Sequence, residues 1–181
     1  MRNWSNYEHR EGTIMHNALA EFRAHPGEDV HSRAGARAGA QPELKPRVLV
    51  VDDVADNREI LTRRLVRRNF DVVEAVGGED ALAKIAGGGF DIVLLDIMMP
   101  DLSGNEVLER VRADPAHADL PVIMVTAKSQ SDDVVSSLAL GTNDYITKPV
   151  DFDVALARIN AQLERKRRAE ETLREKERLE K

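Results

Sequence analysis

Phe90 to Asp96 reads FDIVLLD, four aliphatic residues in unbroken succession closed by an acid. A run this short cannot complete an ordinary helix, and its lack of alternation suits a strand buried on both faces of a parallel sheet. Two further runs have the same form, VLVVDD at 48–53 and LPVIMVT at 120–126. DVVEA at 71–75 and DYIT at 144–147 are more polar and suit edge strands. Between them the spacing predicts helices at about 55–68, 79–86, 104–113, 131–140 and from 151 onward. Start and stop signals agree: Ser103 stands three residues before Glu106 as a capping box, and Asp132 and Asp133 fall in a first turn. Asp151 can cap the last helix, Gly141 follows a helix end, and Gly87-Gly88-Gly89 reads as a stop and turn. Five strands alternating with five helices over residues 47–163 predict an α/β fold, a doubly wound five-stranded parallel sheet with right-handed crossovers. The last helix runs on beyond it.

Composition narrows the function. The 181 residues carry 26 Lys+Arg and 32 Asp+Glu, for a net charge of −6, and no broad cationic surface suited to duplex nucleic acid. Without cysteine there is no disulfide, thiolate metal site or Cys nucleophile, and the five histidines form no HExxH pair, so zinc is not expected. No apolar run approaches the ~18 residues of a membrane span, and Glu8 and Glu11 fall where a signal peptide needs an apolar centre. The expected setting is cytoplasmic, with no membrane and no nucleic acid bound. Charge is unevenly spread: residues 1–46 hold six basic and six acidic side chains, 47–163 hold 12 and 20, and 164–181 hold 8 and 6. The acid excess therefore belongs to the predicted domain. Residues 1–46 are poor in large apolar side chains and read as a mostly flexible extension, with a short helix at 13–24 carried by Ile14, Met15, Ala18, Leu19 and Phe22.

In a doubly wound sheet, ligands bind beyond the carboxyl ends of the strands, near the switch in strand order. Asp52 and Asp53 close the first strand, Asp96 the third and Thr126 the fourth, and Lys148 follows the fifth, so all five share one edge. With flavodoxin-like order 2-1-3-4-5, the first and third strands flank the switch point and the three carboxylates meet there. Crowded carboxylates resist ionisation unless a cation offsets them. Mg²⁺, which takes oxygen ligands and keeps an open site, is the natural cofactor. Asp96 at the centre is then the candidate nucleophile, attacking phosphorus to give an aspartyl phosphate. The Lys148 ammonium and the Thr126 hydroxyl would meet phosphoryl oxygens.

VDD at 51–53, DIMMPDLSG at 96–104, TA at 126–127 and KP at 148–149 together resemble the receiver domain of two-component response regulators, over about residues 47–163. The resemblance implies phosphoryl transfer to Asp96 from the phosphohistidine of a histidine kinase or histidine phosphotransfer protein, followed by slow hydrolysis. That is a phosphoacceptor switch and not a turnover enzyme. It further implies Asp52, Asp53 and Asp96 as Mg²⁺ ligands, joined by the backbone carbonyl of Met98. Thr126 and Tyr145 occupy the switch positions, through which phosphorylation would alter the face of helix 4, strand 5 and helix 5. Lys148-Pro149 matches the family's cis turn, which would aim the ammonium at the site.

Other classes fit less well. A dehalogenase-like phosphatase needs a second acid two residues after the nucleophile, where this chain has Met98. A nucleotide-binding loop is absent, since the triple glycine precedes a strand where a phosphate cradle should follow one. A constitutive coiled-coil scaffold is the remaining competitor. Residues 164–181 contain no Gly or Pro and allow i,i+4 pairs such as Glu164 with Arg168 and Glu170 with Arg174. From Asp151 to Lys181 the helix would span about 46 Å at 1.5 Å per residue. From Leu156, the a/d-type positions are apolar at only four of eight, so a lone charged helix and a coiled-coil homodimer both stay open. In receivers of this kind such a helix leads to an output module, and a homodimer would form through it or through the helix4-strand5-helix5 face.

Overall fold

The computed structural model describes residues 45–127 and 131–181, the side chains of 131–134 excepted; the helix expected at 13–24, with the rest of residues 1–44, lies outside them. Five strands, β1 (Arg47–Val51), β2 (Asp71–Ala75), β3 (Ile92–Asp96), β4 (Val122–Ala127) and β5 (Asp144–Lys148), alternate with α1 (Ala55–Arg67), α2 (Gly78–Ala86), α3 (Gly104–Ala113), α4 (Ser131–Ala139) and α5 (Phe152–Leu179). The sheet is wholly parallel, in the order β2-β1-β3-β4-β5. This is the doubly wound fold expected from the apolar runs. The two weaker runs are indeed the edges.

Alternation along the inner strands feeds two cores. Leu49, Val51, Val93, Leu95, Val122 and Met124 face Ala81 and Ile85 of α2 and Val107, Leu108 and Val111 of α3. Val48, Val50, Ile92, Leu94, Ile123 and Val125 face Leu61 and Leu65 of α1 and Phe152, Ala155 and Ile159 of α5. Fully burying each such side chain is worth roughly 1.5–3 kcal/mol, so among the described elements the central strands are the most firmly held.

The punctuation is local. Ser103 and Glu106 form the capping box of α3, and the Asp151 carboxylate accepts the N–H groups of Asp153 and Val154 at the start of α5. Gly88 and Gly89, at φ 73° and 85°, make the turn from α2 toward β3 in a conformation that side chains resist. Beyond the core, α5 is held by its own ion pairs, including Glu164 with Arg168, Arg167 with Glu171 and Glu170 with Arg174. Lys166 ties the helix back to Asp91 at 3.0 Å, just before β3.

Candidate functional site

Register brings the acids together. Val51 of β1 pairs with Leu95 of β3, so the next residue of each, Asp52 and Asp96, stands at the same level of the carboxyl edge. Asp52 and Asp53 do not close β1 but lie one and two residues beyond its end, whereas Asp96 is the last residue of β3. Lys148 closes β5 itself and does not follow it, and Thr126 is the penultimate residue of β4. One oxygen from each of Asp52, Asp53 and Asp96 lies within 4.8 Å of the others. Asp52 and Asp96 are each 3% exposed, while Asp53 is open to solvent.

Lys148 Nζ donates to Asp52 Oδ2 at 2.9 Å and to Asp96 Oδ2 at 2.7 Å. One ammonium thus answers two of the three carboxylates. Burial pushes the Asp96 carboxyl above the ordinary value; the Lys148 contact works against this, and the neighbouring Asp52 charge adds to it. Burial also works against the Lys148 ammonium, but its bonds to Asp96 and Asp52 outweigh that and hold its pKa above the ordinary lysine value. Asp96 Oδ1 accepts the Met98 N–H at 3.3 Å. The Thr126 hydroxyl, 1% exposed, donates to the Ala127 carbonyl at 3.2 Å. The Lys148-Pro149 peptide is cis. Tyr145 stands at the surface, 37% exposed, with the Arg158 guanidinium 5.6 Å from its ring centre, and is therefore not turned inward. The Met98 side chain is 60% exposed and offers no acid beside Asp96.

The residues that support this site were not anticipated. Asn57 Nδ2 donates to both Asp52 oxygens at 3.4 and 3.2 Å, while Val54 N–H donates to Oδ1 at 2.8 Å. Arg58 donates to the Asp52 carbonyl at 2.7 Å and to Glu74 of β2 at 3.3 Å, so the first turn of α1 braces the acidic loop from two sides. Five or six residues past Asp52, on a helix beginning at Ala55, that turn comes back over the loop; this spacing was the available signal. Asp101, after β3, accepts backbone N–H groups from the start of α2. Gly104 marks where α3 presses closest: a Cβ there would lie 2.3 Å from the Asp96 carbonyl oxygen, so only glycine lets the helix begin against the strand end.

The donor set suits a hard cation: three carboxylates and one ammonium leave two negative charges, two of the acids are buried, and Asp96 is held toward its neutral form by that environment. Among the described residues, no helix is long and apolar enough to cross a membrane.

The family model for the response regulator receiver domain matches residues 48–160. The transcriptional regulatory protein DltR of Streptococcus agalactiae is 47% identical over 113 residues, which are 62% of this chain and 50% of the relative. The response regulator PleD of Caulobacter vibrioides is 36% identical over 118 residues, 65% of this chain and 26% of its own. A CheY-like response regulator receiver domain protein from Methanospirillum hungatei superposes with a TM-score of 0.66 at 30% identity, covering 70% of this chain and 99% of that structure. A response regulator receiver protein from Pseudomonas putida gives 0.62 at 34% identity, covering 65% and 98%. The chain spans about half the length, or less, of these curated relatives.

Proposed function

We propose that this chain, which belongs to the response regulator receiver domain family, is a Mg²⁺-dependent phosphoacceptor that takes a phosphoryl group on Asp96 from the phosphohistidine of a histidine kinase or histidine phosphotransfer protein. One observation carries the reading. Lys148 joins the two buried carboxylates at 2.9 and 2.7 Å while a third acid stands within 4.8 Å.

An oxygen of Asp96 forms a bond to phosphorus as the N–P bond of the donor breaks, and the electron pair leaves with the imidazole. Asp52, Asp53, Asp96 and the Met98 carbonyl are the residues that would hold Mg²⁺, which when bound supplies positive charge to the carboxylates and phosphoryl oxygens. Lys148 is already oriented on Asp96 and needs only to exchange a carboxylate oxygen for a phosphoryl oxygen. The Thr126 hydroxyl, resting on the Ala127 carbonyl, can turn to donate to the phosphoryl group. Tyr145 would then turn inward from its exposed position and change the face formed by α4, β5 and α5. Val135, Leu138 and Val154 leave apolar surface on those helices, which supports a role in partner or homodimer contact. The charged continuation of α5 would carry the change onward. The relatives' names speak of transcriptional regulation, but the acidic balance of residues 47–163 supports no nucleic-acid contact through the matched part.

Incubation with a small phosphodonor and Mg²⁺, followed by a phosphate-retarding gel, tests the acceptor. The wild type is expected to shift and Asp96→Asn to stay unshifted; equal shifts would remove Asp96 from the role. Truncation after Leu163 is expected to lower any dimer fraction seen by sedimentation, and an unchanged fraction would remove α5 as a dimer element.

A further inference from the structure

We infer that Asp101 is a positioning residue that ties the loop following the phosphoacceptor to the start of α2, and so holds the Met98 carbonyl where Mg²⁺ is to bind; this rests on the reading of the site given above. Helix α2 starts without a capping side chain of its own. Its N-cap is Gly77, which has no side chain to receive the first free N–H groups, whereas α3 and α5 are capped by their own Ser103 and Asp151. The missing acceptor comes from elsewhere. Asp101 Oδ1 accepts Gly78 N–H at 3.1 Å and Oδ2 accepts Glu79 N–H at 2.9 Å, across more than twenty residues. Backbone N–H groups, Glu79 foremost, with Leu102 and Gly78, draw this carboxyl down to about 2, so it is ionised throughout the working range.

The helix start makes room for this contact. A Cβ at Gly77 would lie 2.7 Å from Asp101 Oδ2, and one at Gly78 would lie 2.6 Å from the Leu102 Cβ. A Ser or Asp at position 77 would cap α2 directly; the chain instead carries two glycines and takes its cap from the loop. That arrangement does more for the loop than for the helix. The stretch from Ile97 to Ser103 is fixed at its ends, by Ile97 N–H on the Val125 carbonyl at 3.1 Å, Gly104 N–H on the Ile97 carbonyl at 2.9 Å and the Ser103–Glu106 box. Between them, Met98, Pro100 and Asp101 are exposed; among the described hydrogen bonds of this crest, Met98 N–H reaches back to Asp96 at the end of the strand it follows, and those of Asp101 are the ones that reach a different element.

Three chains separate a positioning role from a simple cap: wild type, Asp101→Ala, and Asp101→Ala with Gly77→Ser. The φ of Gly77, 179°, is extended and open to serine, and the three atoms nearest to a Cβ there all belong to the Asp101 carboxylate that the first change removes. Urea unfolding reports stability, calorimetric titration with Mg²⁺ alone reports affinity, and the gel reports phosphorylation at saturating Mg²⁺. Asp101→Ala is expected to weaken Mg²⁺ binding about tenfold, as loss of a supporting shell does, and to lower stability. Adding Gly77→Ser should restore stability and leave the affinity weak. Affinity within twofold of wild type in Asp101→Ala, or restored along with stability in the double variant, overturns the inference. Should Asp101→Ala fail to fold, Asp101→Asn, which keeps one carbonyl oxygen as acceptor, is expected to fall between it and wild type; full wild-type affinity there overturns the inference as well. A wild type that takes neither Mg²⁺ nor phosphoryl overturns the site reading and this inference with it, whereas unaltered affinity in the variants overturns this inference alone.

Discussion

Replacing Lys148 by Met keeps most of the side chain's length and removes its charge. The ammonium makes two contacts, 2.9 Å to Asp52 and 2.7 Å to Asp96, with its side chain 27% exposed. At an effective dielectric of about 20, each such pair contributes roughly 6 kcal/mol of Coulomb energy, so about 12 kcal/mol stands against the cost of desolvating the ammonium. Removing one member of a largely buried cluster leaves the others uncompensated, and the net destabilisation expected here is about 2–4 kcal/mol at pH 7 without Mg²⁺. Its pH dependence has a definite sign. Asp96 already sits above the ordinary carboxyl value, and without the ammonium it rises further. The folded variant then binds a proton that the unfolded chain releases, and its stability falls as pH climbs from about 4 through the raised folded value. The deficit relative to wild type should therefore be larger at pH 7 than at pH 4. Mg²⁺ should reverse the effect: with the competing ammonium gone, millimolar Mg²⁺ is expected to raise the variant's stability by more than it raises wild type's. Urea denaturation at the two pH values, with and without Mg²⁺, measures all of this. A loss below 0.5 kcal/mol, or one of equal size at both pH values, would refute the view that Lys148 is the charge holding the acidic cluster together.

Gly104→Ala places a Cβ 2.3 Å from a backbone oxygen that cannot retreat without shifting β3; a loss of about 3 kcal/mol in urea unfolding is expected, and a change under 1 kcal/mol would mean α3 has slack. Arg112, partly desolvated, donates to the carbonyls of Gly141 and Leu120 and to Asn143 Oδ1, each at 2.9 Å. Arg112→Met should cost about 3 kcal/mol by taking the guanidinium from the two carbonyls, while Asn143 Oδ1 keeps the Val122 N–H, and an unaltered midpoint would show that water replaces the guanidinium. The lowered Asp101 value gives a stability contribution present above the unfolded carboxyl value, near 4, and lost as pH falls toward 2. Asp101→Asn should flatten the acid limb of the stability curve in that window, and an unchanged limb would assign it to other carboxylates.

The fold was legible where burial is two-sided. VLVV, IVLL and VIMV can satisfy two cores at once only as inner parallel strands, and they are β1, β3 and β4. The site was legible for the same reason, because an acid or a threonine directly after such a run has to lie at one edge of the sheet. An error of one or two residues attached to Asp52, Asp53 and Lys148, since strand ends depend on hydrogen bonds that side-chain identity does not report. Asp101 was not legible as a cap, because its partners are backbone N–H groups that leave no side-chain pattern; the trace it left was Gly77-Gly78, a helix start without a capping residue. Arg112 escaped notice likewise, as two of its three acceptors are carbonyls. The i,i+4 pairs of the α5 extension were legible because they are local.

Burial also decides how a charge change at Asp96 can be felt. Strand β3 has both faces in hydrophobic cores and every residue buried, so the carboxylates cannot relieve their repulsion by moving the strand. What can respond is the set of partners: a proton, a cation, or the Lys148 side chain. Lys148 ends the edge strand β5, in register with Ala127, whose carbonyl receives the Thr126 hydroxyl, and Thr126 is paired with Thr147. An exchange of partners at Asp96 would therefore act first on the β4–β5 seam, where Tyr145 stands two residues before Thr147 with its ring outside. The rigid centre fixes where the charge changes, and the sheet edge, with one neighbour strand instead of two, is the part free to report it.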